Sequence, residues 1–231
     1  MQVLGIIAAR GGSKGVPNKN LRLLAGRPLL AYTAGAAQAS RRLSRVIVST
    51  DDPAIADAAQ ALGLDVPFMR PAGLAADDTP MLPVLQHGLA ELARAGFAAD
   101  AVVLLQPTSP LRRAEHIDAA IDLLESSGAD SVVSVTEVPH QFNPVSVLRL
   151  DDEARLTPYL AGPLVTRRQD KPRVFARNGP AVLAVRAAVV AGGSLYGNDC
   201  RALVMSARES VDIDTVDDLE MVELLMMQRH E

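Results

Sequence analysis

The sequence predicts an α/β fold, a mainly parallel sheet flanked by helices. Three observations carry that prediction. Short apolar runs alternate with segments of helical period along most of the chain. One run, AVVLLQ at 101–106, is apolar without alternation, as a strand buried on both faces requires. Several runs end in polar or glycine-rich turns, the edge where parallel sheets collect ligands.

The elements follow in order. VLGIIA (3–8) reads as a buried strand running into the loop AARGGSKGVPNKN (8–20). A helical pattern runs from Pro28 to about Ala39, and RVIVST (45–50) is the second strand. Asp52 is placed to cap a helix whose first residue is Pro53 and which ends near Gly63. DVPFMR (65–70) reads as a third strand, followed by a loop to Thr79 and a helix from Pro80 to about Ala95. After 101–106, PTSPLRRAEH leads into a helix to about Ser126, and SVVSVT (131–136) is the next strand. Residues 137–178, richer in Pro, Arg, Gln and Asn, break the rhythm and read as an insertion, a lid or a dimerisation arm of a single 1–231 domain. The pattern resumes with AVLAVR (181–186), a short helix, ALVMS (202–206), SVDIDT (210–215) and a helix from Val216 to about Gln228.

Composition narrows the function. The 231 residues are 48% hydrophobic and 22% charged, a globular balance. The net charge of −4 and the lack of any basic run argue against general nucleic-acid binding. No apolar run reaches membrane-spanning length, and MQVLGIIAARGG lacks the basic start of a signal peptide. One cysteine, Cys200, excludes an internal disulfide; it reads as a small half-buried residue and fits a cytoplasmic location.

Any anion site must be local, and the opening loop is the place. Only three of 23 basic residues are lysine, and two of them, Lys14 and Lys19, lie there. Gly11, Gly12 and Gly15 let backbone amides approach an anion, Arg10 adds charge, and Asn20 offers an amide. Ala8 and Ser13 complete the expected nucleotide cradle. The spacing fits neither G-x-x-x-x-G-K-[ST] nor G-x-G-x-x-G. The alternative is a solvated connection.

Asp212 and Asp214, two apart, point to one face if 210–215 is a strand, about 7 Å from each other. Such a pair suits Mg²⁺, which takes one or two carboxylates beside phosphate oxygens. The alternative is that Asp214 caps the next helix. Gln106 leaves its strand toward the site, followed by a stiff turn with Thr108, Ser109 and Arg112; an ordinary proline-rich turn is the alternative. Arg167, Arg168, Gln169, Arg177 and Asn178 form a polar set able to clamp a carboxylate, or else a solvated arm. His116 and His140 have no triad or metal spacing and read as surface or supporting residues.

Taken together and in order, IIAARGGSKGVPNKNL, IVSTDD, LQPTSPLR, RNG and SVDIDT resemble the CMP-N-acylneuraminate cytidylyltransferases and their close relatives, over about residues 3 to 227. The resemblance implies a Rossmann-like nucleotidyltransferase fold. It implies Mg²⁺-dependent transfer of CMP from CTP to a nine-carbon α-keto sugar acid. It also implies a homodimer whose insertion reaches the partner's site. By position, Arg10 and Lys19 match triphosphate residues and Asn20 a nucleotide reader. Arg70 and Thr79 fall where cytidine is contacted. Gln106, with Ser109 beside it, matches the sugar site, as do Arg168, Gln169 and Asn178; Asp212 and Asp214 match the metal aspartates. Two departures point to the sugar side. PHQFNPVSVL (139–148) has no lysine, and Ala181-Val182 stand where an aromatic is expected. A legionaminic- or pseudaminic-type acid fits beside N-acetylneuraminate. A Kdo cytidylyltransferase and a non-catalytic nucleotide-binding module are the rival readings.

Overall fold

The computed structural model describes residues 1–13, 15–162 and 165–228; Lys14, counted above among the loop's charges, lies outside them. Strands and helices follow in the order β1 (Val3–Ala8), β2 (Leu23–Leu24), β3 (Arg27–Pro28), α1 (Leu29–Ala39), β4 (Arg45–Ser49), α2 (Pro53–Ala61) and α3 (Met81–Arg94). Then come β5 (Ala101–Leu105), α4 (Ala114–Ser127), β6 (Ser131–Glu137), β7 (Leu148–Leu150), β8 (Leu156–Pro158) and β9 (Phe175–Arg177). The last are β10 (Leu183–Arg186), α5 (Ala187–Ala191), β11 (Cys200–Met205) and α6 (Val216–Met227).

The main sheet runs β11-β6-β10-β5-β1-β4, with β9 beside β6. β1 is parallel to β4 and β5, and β11 is parallel to β6. β10 runs antiparallel between β5 and β6, and β9 is antiparallel to β6. The sheet is therefore mainly parallel, as expected. Alternation on β1 and β5 sorts the core into two layers. Ile7, Val103 and Leu105 pack with Leu30, Ile55 and Ile121 of α1, α2 and α4. Ile6, Val102 and Leu104 pack with Leu85 and Val190 of α3 and α5. Every residue of β5 is buried, which accounts for its unbroken apolar run. The side chain of Asp52 caps α2 by accepting from Ala54 N and Ile55 N, with Pro53 at the first helical position.

Two expected strands are absent. Residues 65–70 make only single bridges, Ile47 with Asp65 and Thr50 with Met69. Pro67 lies between them and has no N–H to donate, so the ladder does not close. Residues 210–215 form no strand because their backbone bonds elsewhere. Ile213 N donates to Thr108 O at 2.8 Å, and Ile213 O accepts from Lys19 Nζ at 2.7 Å. Ile213 itself is fully buried in a third apolar cluster with Val16, Leu24, Leu29, Leu111 and Leu219. That cluster joins the loop to α6 beneath the sheet's ligand edge. Cys200, expected half-buried, is exposed on β11.

Candidate nucleotide site at the carboxyl edge of the sheet

The loop after β1 bends back on its own polar groups. Gly12 has φ +64°, a conformation that favours glycine. Asn20 Nδ2 donates to Arg10 O at 2.9 Å, tying the loop's two ends. A Cβ on Gly15 would lie 2.4 Å from the Asp214 carbonyl oxygen, so only glycine lets the loop and the 212–214 segment touch. Lys19, nearly buried, donates from Nζ to Ile213 O at 2.7 Å and to Asp214 Oδ1 at 3.0 Å. Arg10 Nη2 lies 2.6 Å from Asp77 Oδ1, and Gly11 N donates to Asp51 Oδ1 at 3.0 Å.

A cavity of about 180 Å³ opens here, lined by Ala8, Arg10, Ser13, Lys19, Asn20 and Arg70 from the expected cradle, with Gln106, Pro107, Thr108 and Met81. A second space of about 520 Å³ adjoins it at Arg10, bordered by Gly11, Gly12, Asp51, Asp52 and Asp77. The structure thus gathers most of the expected nucleotide residues at one edge. Thr79 stands in the connection before α3, where its N–H bonds Ala76 O at 3.2 Å, and does not line the cavity. Arg70 is buried and donates to the Ser49 hydroxyl at 3.0 Å and to the Ser49 carbonyl. Burial pushes its guanidinium down to about 10, with Asp51 opposing.

The turn after β5 holds the first of the two aspartates. Ser109 Oγ donates to Asp212 Oδ1 at 3.2 Å. Arg112, buried below, donates from Nη1 to Gln106 O (3.0 Å) and Ala181 O (2.7 Å), and from Nη2 to the Thr33 hydroxyl. Its pKa is pushed down to about 9 by burial, with Asp212 opposing. The helix cap weighed for Asp214 belongs instead to Thr215, which shares a capping box with Asp218. Asp214's carboxylate is thereby left for Lys19, and its side chain is 76% exposed. Arg113 and His116 flank Glu209, at 2.9 Å and 3.7 Å.

The strand expected to set these two carboxylates on one face is absent, and Asp214 already pairs with Lys19; what the pair offers a divalent cation is hard oxygen donors. Among the described residues no group of three or more His, Cys, Asp or Glu is arranged to hold a metal, so a cation here would complete its shell from phosphate and water. Hard carboxylate oxygens, one set half-buried and burdened by a neighbouring like charge, are what such an ion relieves.

The sugar-side residues are split. Gln106 borders the nucleotide cavity, whereas Arg168 and Gln169 line a separate cavity of about 550 Å³ on the arm, with Glu137, His140, Lys171 and Arg173. The two cavities share no lining residue. Asn178 is buried. Its Oδ1 accepts from Ser134 Oγ (2.6 Å) and Ala181 N (3.4 Å), and its Nδ2 donates to Ser210 Oγ (2.8 Å) and Met205 Sδ (3.4 Å). Ala181 and Val182 are fully buried, so that departure lies in the core and not on a pocket wall. Lys171 Nζ reaches His140 O (3.1 Å) and Ser146 Oγ (2.6 Å), bringing an ammonium to the 139–148 segment that has no lysine of its own. Sequence reasoning missed Asp77, Ser49, Thr33 and Met81. None carries a local signal, because each meets the site only through chain remote in sequence.

Comparison with known proteins gives a consistent picture. The family profile described as cytidylyltransferase matches residues 4–190. A CMP-N,N'-diacetyllegionaminic acid synthase of Legionella pneumophila is 36% identical over 228 residues, 98% of this chain and 97% of that protein. An N-acylneuraminate cytidylyltransferase of Streptococcus agalactiae is 31% identical over 220 residues, 94% of this chain but 52% of that protein. A solved structure of a CMP:2-keto-3-deoxy-manno-octonic acid synthetase complexed with CTP superposes with a TM-score of 0.74 at 20% identity, covering 99% of this chain and 100% of that one. That last likeness is one of fold. No helix among the described residues is long and apolar enough to cross a membrane.

The electrostatics make one prediction. Burial raises the Asp212 carboxyl above the ordinary carboxylate range, Asp214 adds to this, and Ser109 and Lys19 pull it back. The folded chain therefore holds this proton more tightly than the unfolded chain. Asp212 costs stability as pH rises from the ordinary carboxylate pKa through the raised one. Asp212→Asn should raise the melting temperature of the ligand-free protein at neutral pH and flatten its decline above pH ~4. An unchanged melting profile contradicts it.

Proposed function

Because the chain belongs to the cytidylyltransferase family, we propose that it transfers CMP from CTP to the anomeric hydroxyl of a nine-carbon α-keto sugar acid, with Mg²⁺, releasing pyrophosphate. The observation that carries this reading is Lys19. A nearly buried ammonium bridges the glycine loop to Asp214 at the rim of a cavity it shares with Arg10 and Asn20. A legionaminic-type acid is favoured over N-acetylneuraminate. The legionaminate relative matches along 97% of its length, the neuraminate relative along 52%.

In this reading the anomeric oxygen gives up its proton to water and bonds to the α-phosphorus as the bond from that phosphorus to the α–β bridging oxygen breaks, and pyrophosphate carries away the electron pair. The protein positions and neutralises. Arg10, Lys19 and the amides of Gly11, Gly12, Ser13 and Gly15 receive the leaving pyrophosphate. Ala8, Asn20, Arg70 and Thr79 orient the nucleoside, and Gln106 faces the sugar. Asp212 and Asp214 would hold Mg²⁺, whose positive charge offsets that of the phosphates. Ser109 serves the sugar side by fixing Asp212, with which its hydroxyl is engaged. Asn178 serves it from the core behind, tying Ser134, Ala181 and Ser210 together.

Arg168 and Gln169 meet the sugar acid, in this reading, across a homodimer. The β7–β8 hairpin supports that arrangement. Leu148, Leu150, Leu156, Tyr159 and Leu160 stand exposed along it, and a two-stranded hairpin has little stability without something to cover its apolar side chains.

Two measurements test the proposal. In a pyrophosphate-release assay with CTP, Mg²⁺ and legionaminic, pseudaminic, N-acetylneuraminic and Kdo acids, a nine-carbon acid should give the highest kcat/KM. Lys19→Ala should lower turnover about 100-fold or more. Asp212→Ala and Asp214→Ala should remove most of the Mg²⁺-dependent rate. Near-normal rates in these variants, or a preference for Kdo, contradict the assignment. Light scattering should give twice the 24.4 kDa chain mass, and Leu150→Asp with Leu156→Asp should halve it. A fully active wild-type monomer removes the partner's arm from the site.

A further inference from the structure

Three donors of the loop each hold a carboxylate of the chain itself. Lys19 holds Asp214, the Gly11 amide holds Asp51, and Arg10 holds Asp77. The first two carboxylates belong to framework. Asp214 leads into the capped α6, and Asp51 sits between β4 and the Asp52 cap of α2. Asp77 is differently placed. It lies in the exposed connection between the 3-10 turn Ala72–Leu74 and α3. The Arg10–Asp77 pair is 2.6 Å long, with side chains 30% and 37% exposed. Arg10 borders both spaces at the site, and Asp77 borders the outer one.

We infer that Asp77 is a specificity-determining counter-ion, occupying Arg10 until a polyphosphate displaces it and thereby weighing against ligands that need Arg10. The inference rests on the reading of Arg10 as a pyrophosphate residue. An ion pair this exposed is weak and exchangeable. A phosphate offers the guanidinium stronger, bidentate acceptors. The displaced carboxylate stays close enough to repel the phosphates that replace it. CTP and pyrophosphate both bear that cost. A ligand with only an α-phosphate does not reach Arg10 and is indifferent to Asp77. The consequence for turnover is a weakened hold on pyrophosphate, the product that must leave, with the grip on the CMP moiety untouched.

Calorimetric titration of pyrophosphate, CTP and CMP into the full chain tests this, at fixed ionic strength. Asp77→Asn should tighten pyrophosphate and CTP about 2- to 5-fold and leave CMP unchanged. Asp77→Glu, which keeps the charge, should bind all three nearly as the wild type does. In an Arg10→Ala background Asp77→Asn should tighten pyrophosphate distinctly less than it does beside Arg10, the competition for the guanidinium being gone and only the weaker repulsion left. If Arg10→Ala weakens pyrophosphate but Asp77→Asn does not strengthen it, or shifts CMP equally, the inference is overturned. An Arg10→Ala protein that binds pyrophosphate like the wild type removes the reading of Arg10, and the inference with it.

Discussion

Lys19 Nζ, all but closed off from solvent, donates to the Ile213 carbonyl and to Asp214, joining parts of the chain 194 residues apart. A buried ammonium is costly unless its protons are taken up, and these two acceptors take up two of them. The rest of the site follows from that junction. Gly15 must lack a side chain because the Asp214 carbonyl comes where a Cβ would be. Ile213 is turned into an apolar cluster, between a half-buried Asp212 held by Ser109 and an exposed Asp214 held by Lys19. Thr215 takes over the capping of α6, so the Asp214 side chain pairs with Lys19 instead.

Below the junction the fold supplies rigidity where the chemistry needs placement. β5 is buried throughout and leads into Gln106, and the turn beyond it is fastened by Arg112 to Gln106, to Ala181 and to α1. From that fixed turn Ser109 holds Asp212, and Thr108 holds Ile213. The two aspartates are thus positioned by different elements, one by the turn and one by the lysine of the loop. A catalyst that works by charge placement benefits from supports of this kind, because its donors need little reorganisation during the reaction.

Much of this was legible in the sequence. The apolar runs at 3–8, 45–50, 101–106 and 131–136 became strands, and Asp52-Pro53 became a capped helix start, because those signals are local. The opening loop and the 212–214 pair stand out by residue type, and the structure brings them into contact through Lys19. The misreadings share a cause. Residues 65–70 and 210–215 look like strands by pattern, yet a proline in one and a lysine side chain in the other divert the backbone bonds. The pairing of Arg10 with Asp77, the staple made by Arg112 and the reach of Lys171 to His140 depend on the folded path and leave no periodic mark. Asn178 reads as a ligand clamp by its polarity, but in the fold that polarity is taken up by Ser134 and Ser210 in the core.

The central claim concerns which bond is broken. Phosphorus NMR of the protein with CTP, Mg²⁺ and a nonulosonic acid follows that bond directly. The account predicts one sugar phosphodiester signal for each pyrophosphate formed, and none when the acid is withheld. Intact CTP with every acid offered, or release of inorganic phosphate in place of pyrophosphate, would contradict it.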